Sequence, residues 1–448
     1  MKLYDTQSRQ LKEIDVSQEQ IRMYCCGPTV YRDAHVGNLR TFLLSDLIAR
    51  VVRLNGSQPY LIQNITDVGH MSEDLINDDK MLNQAKLEKV DPFEIARKYE
   101  AGFHLDLAAL NIQPAEAYPR ASECIEMMLD LIKKLVDTDF AYLGSDGTVY
   151  FNAQKFASYG AISGNKLDSL KPGHRYEFSE EGAKRFHADW ALWKAAGDRT
   201  EMVWDSPWGM GFPGWHIECS AMSLELLNGH VDIHVGGIDL RFPHHENERA
   251  QSNALINEEA VDLWVHGEHL LFEGRKMSKS SGNVVLLNDV IKAGIDPLAI
   301  RLCFLENKYR SQMDLTWNSI EAAHETLKRW RLKMAQWSTD SSITVDAEVR
   351  EAFNTDLDTS RAILRLREIE KDDTVNKASV FRYADQVLGL DLDRPIEARV
   401  LTDQMKALLD ERAIARNEKR WEDSDQLRLQ LENLGLEIKD TPEGQVWS

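Results

Sequence analysis

The feature that most constrains the fold is a helix-like segment set between two strand-like ones. Gln20 to Cys25 reads as a short strand, Cys26-Gly27-Pro28-Thr29 as a turn, and Tyr60-Leu61-Ile62 as the next strand. Between them Leu39, Phe42, Leu43, Leu47 and Val51 recur at the spacing of one buried helix face, and Asn55-Gly56 supplies the stop. Strand, anion-friendly turn, helix and strand in succession predict a doubly wound α/β domain. Ligands of such sheets bind at the carboxyl ends of the strands.

The rest of the chain divides around that unit. Val231-Asp232-Ile233-His234 is strand-like, Gly236-Gly237 is a turn, and Ala260 to His266 reads as another strand. Residues from about 90 to 200 look helix-rich and read as an insertion. From Asp296 onward helical periodicity dominates, with long charged helices around 317–337, 348–369 and 398–418. The end reads as a small helical unit plus a strand pair, Leu436-Glu437-Ile438-Lys439 and Gln445-Val446-Trp447. Boundaries near 90, 205, 300 and 395 give a split α/β domain (1–90 and 205–300), an inserted helical domain (91–204), a helical bundle (301–395) and a small C-terminal unit (396–448).

At 448 residues the chain is too long for one core. Hydrophobic content of 43% and 28% charged residues describe a soluble globular protein. No apolar run approaches the ~20 residues of a membrane helix, so no membrane partner is expected. The N-terminal run lacks a signal-peptide pattern, and the cytoplasm is the expected location. A net charge of -20 argues against a general nucleic-acid coat protein while leaving room for a local basic track. Five cysteines (25, 26, 124, 219 and 303) form no disulfide framework; reduced thiols or metal ligands fit better. Cys124 and Cys303 lie in apolar helix-like segments and read as core thiols.

Three motifs carry chemistry. His35-Val36-Gly37-Asn38 follows a strand and opens a helix, where backbone N–H groups and the helix dipole favour anions. Lys276-Met277-Ser278-Lys279-Ser280-Ser281-Gly282-Asn283 sets two lysines in a glycine-terminated loop that can bring positive charge onto a triphosphate. Cys26, Cys219, His244 and Glu248 make a candidate four-ligand metal set. His244 and Glu248 stand i and i+4, on one face if the segment is helical. Two sulfurs, an imidazole and a carboxylate suit tetrahedral Zn²⁺.

The pairing of the first two motifs resembles the "HIGH" and "KMSKS" signatures of class I aminoacyl-tRNA synthetases. The residues between them narrow the resemblance to the cysteinyl-tRNA synthetase family. They are Cys26-Gly27-Pro28-Thr29-Val30-Tyr31, Asn64-Ile65-Thr66-Asp67, Gly214-Trp215-His216-Ile217-Glu218-Cys219, Gly236-Gly237-Ile238-Asp239-Leu240 and Phe242-Pro243-His244-His245-Glu246-Asn247-Glu248. The resemblance implies a Rossmann-like doubly wound parallel sheet with a helical insertion, then a helical bundle and a terminal α/β unit. It implies an ATP-dependent cysteine–tRNA ligase that forms cysteinyl-adenylate and passes cysteine to the 3′ end of tRNA(Cys), with ATP and Mg²⁺ as substrate.

By the same resemblance, one Zn²⁺ per chain is held by Cys26, Cys219, His244 and Glu248, and binds the thiol of substrate cysteine as thiolate. Cys26 is chosen over Cys25 because it immediately precedes Gly27-Pro28-Thr29. A site built around one specific polar bond can reject an isostere by ~10⁴–10⁵-fold without editing. At ~1.4 kcal/mol per decade the metal–thiolate contact must supply about 6–7 kcal/mol against serine. The resemblance also places Thr66, Trp215 and His244 at the cysteine, with His245 in support. His35, Gly37, Asn38, Asp239, Lys276 and Lys279 fall at ATP, with His35, Asn38, Lys276 and Lys279 carrying the chemistry. Arg416, Trp421 and Asp425 fall on the anticodon-reading surface, where guanidinium and indole planes can stack on splayed bases. A monomer is the family expectation.

The chain departs from the family pattern in two places. Asn38 replaces the last histidine of "HIGH", and residues 69–77 intervene before Asp78-Asp79-Lys80, which predicts a rim loop acting as a lid or acceptor-end contact. Two other readings compete with the ligase. One is a paralogue that ligates cysteine to an amine on a small molecule, although such enzymes usually lack the anticodon-side region. The other is a non-catalytic binder of tRNA or amino acid, against which the intact motifs argue.

Overall fold

The computed structural model describes residues 1–69, 79–170, 183–277, 282–337, 341–395, 402–434, 436, 438–441 and 444–447. Residues 70–77 of the anticipated rim loop and Lys279 lie outside the described residues. The chain forms two compact units, Met1–Asp393 and Arg394–Ser448.

The first unit is organised on a four-stranded parallel sheet, in the order Val261–Gly267, Val231–Gly237, Gln20–Cys25, Gln58–Gln63. Its strands are buried on both faces, as parallel strands covered on each side must be: Ile21, Met23, Tyr24 and Cys25 are buried in one, and Ile233, His234 and Val235 in the next. The helix Val36–Leu54 crosses from the third strand to the fourth. Leu39, Phe42, Leu43, Leu47 and Val51 are all buried on it, each contributing roughly 1.5–3 kcal/mol. The helices Trp215–Leu226 and His244–Ile256 pack on one another before and after the strand Val231–Gly237.

The insertion is less purely helical than its sequence suggests. It holds the helices Pro92–Ala109 and Ile125–Asp137. It also holds three strands of an antiparallel sheet, Ala141–Leu143, Val149–Phe151 and Trp190–Ala195, whose fourth strand, Gly211–Pro213, lies past the expected boundary at 204. Three of these strands have three residues each, too short to display a period-two pattern. What holds them is aromatic packing, with the rings of Phe151 and Trp190 stacked 4.4 Å apart.

Beyond the parallel sheet, Leu270–Phe272 pairs antiparallel with Arg275–Lys276 and parallel with Met313–Leu315. Helices follow at Leu298–Leu305, Trp317–Trp337, Ala347–Asn354, Thr359–Ile369 and Lys377–Leu388. The stretch 348–369, continuous in sequence periodicity, is broken: Asp356 and Leu357 adopt φ of 57° and 50°. The break frees the Asp356 carboxylate to accept from the Tyr4 N–H at 2.9 Å and the Tyr309 hydroxyl at 2.6 Å. Those two bonds tie the N-terminal strand and the 308–311 turn to the bundle.

The second unit holds the helices Asp403–Asn417 and Trp421–Asn433 and the hairpin of Ile438–Thr441 with Gly444–Trp447. Thr402 caps the first helix by accepting from the Met405 N–H. Met405, Leu409, Leu431, Leu436 and Ile438 form its core. Among the described residues, no helix is long and apolar enough to cross a membrane.

Candidate active site

The carboxyl ends of the parallel strands carry the chemistry-bearing residues. Cys26 follows the strand Gln20–Cys25, while Cys219 lies in the helix Trp215–Leu226, and His244 and Glu248 share the first turns of His244–Ile256. Their ligand atoms all fall within 4.8 Å of one another, and all four residues are buried. The Cys26 and Cys219 sulfurs are 3.8 Å apart. Two sulfurs each ~2.3 Å from a tetrahedral metal would be separated by about 3.8 Å. His244 Nε2 lies 3.0 Å from Glu248 Oε1, near the ~3.3 Å edge of a nitrogen–oxygen pair. Cys25, one residue earlier, is outside this group. Its buried thiol, pushed up to about 12 by burial, faces Ser45 and Gln63.

The electrostatics of the group are those of donors that need a cation. Burial holds the Glu248 carboxyl and the Cys26 thiol well above their ordinary values, and Cys26 donates toward Cys219, whose thiol is lowered by that contact. Burial likewise keeps His234 and His245 neutral. Glu248 Oε2 and His234 Nδ1 are buried without a hydrogen-bond partner. A bound divalent cation would favour the deprotonated sulfurs and carboxylate over these neutral forms. The residues therefore fit a thiophilic metal.

His234 and His245 extend the group. Each brings Nε2 to 3.4 Å from Cys26 Sγ, and with Cys26 and Glu248 they make a second, overlapping donor set. His245 Nδ1 pairs with His266 Nε2 at 2.8 Å, and His216 Nδ1 with His244 Nδ1 at 2.8 Å. Sequence reading gives His245 only a supporting place and gives His234 none. A single histidine inside an apolar strand carries no periodic signal.

Beside the donors lie Thr66 and Trp215. Thr66 donates to Glu218 Oε2 at 3.0 Å and accepts from Asn64 Nδ2 at 3.1 Å. Asn64 Oδ1 in turn accepts from the Gly27 N–H at 2.8 Å and lies 3.7 Å from the Cys219 sulfur. Gly27 is obligatory here, because a Cβ on it would sit 1.6 Å from the Asn64 carbonyl oxygen. The Trp215 ring lies on His244, with centroids 4.2 Å apart.

The second part of the site is a cavity of about 140 Å³ at the start of the helix Val36–Leu54, lined by His35, Gly37, Asn38, Asp239 and Lys276 among others. His35 caps the helix: its Nδ1 accepts from the Asn38 N–H, and Asn38 Oδ1 accepts from the His35 N–H, each at 3.2 Å. Burial and the nearby Arg32 charge lower the His35 pKa. A neutral ring that accepts at Nδ1 carries its hydrogen on Nε2. Gly37 leaves room for Met277, whose Cε would be 2.7 Å from an added Cβ.

Thr41, Glu268 and His269 also line the cavity and were missed in the sequence. Met277 lines it too, and stands in the lysine motif without a role of its own there. Glu268 and His269 could have been found as the residues that follow a strand ending at Gly267. Glu246 was missed too. Its carboxylate accepts from the N–H groups of Gly160, Ile162 and Ser163 at 2.8–3.1 Å, fastening the insertion to the donor helix.

In the second unit, the Arg416 guanidinium lies 5.7 Å from the centre of the Trp421 ring, which is 55% exposed. Asp425 is exposed one turn further along the helix Trp421–Asn433. Arg412, Arg416 and Arg428 all reach the single carboxylate of Asp440, at 3.0, 3.1 and 2.6 Å. Three guanidinium groups thus converge on one carboxylate in this unit.

Residues 12–325 match the model of the class I tRNA synthetase (C) catalytic domain, and 398–447 that of the cysteinyl-tRNA ligase anticodon binding domain. The chain is 38% identical to a cysteine–tRNA ligase of Thermus thermophilus, over 99% of this chain and 98% of that one. It is 40% identical to cysteine–tRNA ligase 1 of Burkholderia lata, over 99% and 96%. A Mycobacterium tuberculosis methionyl-tRNA synthetase solved with methionyl-adenylate shares the fold, with TM-score 0.57, 15% identity, and coverage of 83% of this chain and 90% of that one. Matching over nearly its whole length both in sequence and in the order of its two domains, the chain belongs to the cysteine–tRNA ligase family.

Proposed function

We propose that this protein is an ATP-dependent ligase that activates L-cysteine as cysteinyl-adenylate and transfers it to the 3′ end of tRNA(Cys). One observation carries the reading. The adjacent glycines Gly236 and Gly237 face the two halves of the site: Gly236 packs against His245 beside the sulfur donors, and Gly237 lines the cavity that starts at His35. Adjacent residues of a single strand thus face the soft donors on one side and the helix start at His35 on the other.

Cys26, Cys219, His244 and Glu248 are the residues that would hold one Zn²⁺ per chain. A zinc held there would supply a soft Lewis acid that favours the thiolate form of the substrate thiol, an advantage a serine hydroxyl would not share. The Trp215 ring and Thr66 wall the amino-acid side chain, and Thr66 is fixed by Glu218 and Asn64. In this reading the cysteine carboxylate faces the nucleotide cavity. There the neutral His35 donates from Nε2 to a phosphate oxygen, Gly37 admits the nucleotide closely, and Asp239, just past the carboxyl end of the strand Val231–Gly237, faces it as well. Lys276 and Lys279 neutralise the charge that develops on the departing pyrophosphate, and Mg²⁺ accompanies the ATP. Asn38 keeps the capping bond and leaves its amide N–H₂ to donate, a neutral substitute for a second imidazole.

In the second unit, Arg416, Trp421 and Asp425 contact splayed anticodon bases by stacking and hydrogen bonding. The enzyme works as a cytoplasmic monomer. Cysteine-dependent exchange of pyrophosphate into ATP tests the activation step, and charging of tRNA(Cys) transcript tests the acceptor. Exchange without charging would reassign the acceptor, and absence of exchange would refute the whole reading.

A further inference from the structure

Arg40 is a buried cation in the helix Val36–Leu54, two residues beyond Asn38. Among the described residues it forms no ion pair. It spends its guanidinium on four backbone carbonyls instead: Nη1 donates to Glu268 O at 2.9 Å and His269 O at 3.3 Å, and Nη2 to Lys308 O at 3.0 Å and Ser311 O at 2.9 Å. Charge-assisted bonds of this kind are roughly twice as strong as neutral ones, and the planar fork fixes their directions.

The four carbonyls belong to two segments that are themselves paired. The Glu268 N–H donates to Tyr309 O at 2.8 Å, and Leu270–Phe272 runs parallel to Met313–Leu315. Glu268 and His269 line the cavity and lead directly into Leu270–Phe272, which pairs with Arg275–Lys276. Residues 268–276 are therefore the stem from which the lysine loop departs. Arg40 is rooted in the same helix start as His35 and Asn38, and it grips the foot of that stem.

The geometry points to Arg40 as a positioning residue that holds the lysine-loop stem against the His35 helix start, so that both reach the same triphosphate. The assignment rests on the activation chemistry proposed above. It concerns adenylate formation, where pyrophosphate leaves, and not the transfer to tRNA or the reading of the cysteine thiol. Misplacement of a positioned group by ~1 Å can cost about 100-fold in rate.

The test compares wild type with Arg40→Lys and Arg40→Ala in cysteine-dependent pyrophosphate exchange. It adds the single-turnover transfer rate from enzyme preloaded with adenylate. Expected for Arg40→Lys is a loss of about 100-fold in exchange kcat, with KM for cysteine and the transfer rate each within about threefold of wild type. Arg40→Ala should lose more and recover in part on addition of free guanidinium below denaturing concentration. Exchange kcat within threefold of wild type overturns the role. So does a loss shared equally by cysteine KM and transfer, or failure of both variants to fold, since each marks Arg40 as a general structural residue. Absence of exchange by the wild-type protein would refute the functional reading instead, which keeps the two outcomes apart.

Discussion

The sulfurs of Cys26 and Cys219 lie 3.8 Å apart although 193 residues separate them in the chain. Neither cysteine belongs to a local metal-binding motif. They meet because the parallel sheet brings the end of Gln20–Cys25 beside the helix Trp215–Leu226, across an insertion of more than a hundred residues. Both sulfurs are buried, and they are shifted in opposite directions: burial raises the Cys26 thiol, while the contact from Cys26 lowers that of Cys219. The metal affinity of the fold and its amino-acid selectivity should therefore depend on the same two atoms.

Cys26→Ser and Cys219→Ser should each lose bound zinc, measured by elemental analysis of the purified protein. Each should also lose most of the discrimination between cysteine and serine, as seen in the ratio of kcat/KM in pyrophosphate exchange. Loss of a single sulfur donor should weaken zinc by at least about 100-fold, the scale seen even for changes outside the ligands themselves. Cys25→Ser is the control, and it should keep full metal because its thiol faces Ser45 and Gln63. Full metal content in both ligand variants would contradict the assignment.

Gly27→Ala should be far more damaging than a single methyl group suggests. The added Cβ would meet the Asn64 carbonyl oxygen at 1.6 Å, and that oxygen is backbone, unable to swing aside. Overpacking of this type costs roughly 1–3 kcal/mol. The displaced strand end would also carry away the Asn64 bonds to Gly27 and Thr66. Urea denaturation should show the destabilisation and the exchange assay a raised KM for cysteine. An unshifted midpoint with normal KM would show that the backbone has more freedom than this packing allows.

Sequence made the architecture of the first unit legible where long-range geometry follows from local pattern. The face of Leu39, Phe42, Leu43, Leu47 and Val51 is the buried face of the crossover helix, and the strands around it fall where their apolar runs lie. The antiparallel sheet of the insertion was illegible because its strands are short and are held by rings such as Phe151 and Trp190, which also suit helices. Within the site, Cys26, Cys219, His244 and Glu248 could be named because each sits in or beside a distinctive run. His234 and Arg40 could not. One is a lone histidine in a strand, and the other binds only carbonyls, groups every residue has.

Asp106→Asn should stabilise the protein at neutral pH. Burial, with the nearby charge of Asp33 added, raises the Asp106 carboxyl to about 6 from its usual 3.8. Across that window the folded chain binds a proton that the unfolded chain has released, so stability falls as pH rises toward 6 and stays reduced above it. A rise of this size corresponds to about 3 kcal/mol, and partial exposure of the side chain reduces this to ~1–2 kcal/mol. Denaturant melts near pH 7 should show that gain in the variant, shrinking to nothing at about pH 3.5. A gain of equal size at both pH values would mean that charge is not its origin.

Trp421→Ala should separate the two steps of the reaction. The ring is more than half exposed and pairs with the Arg416 guanidinium, an arrangement that costs burial without serving the small core of Met405, Leu409 and Leu431. If it stacks on an anticodon base, its removal should cost ~1–3 kcal/mol of tRNA binding, a roughly 5–150-fold rise in KM for tRNA(Cys). Because the helix Trp421–Asn433 belongs to the second compact unit, pyrophosphate exchange should be unchanged. Arg416→Ala should behave alike but more mildly, since Arg412 and Arg428 still hold Asp440. Steady-state charging with transcript decides the matter: a KM for tRNA that stays at the wild-type value in both variants would remove this face from the anticodon interface.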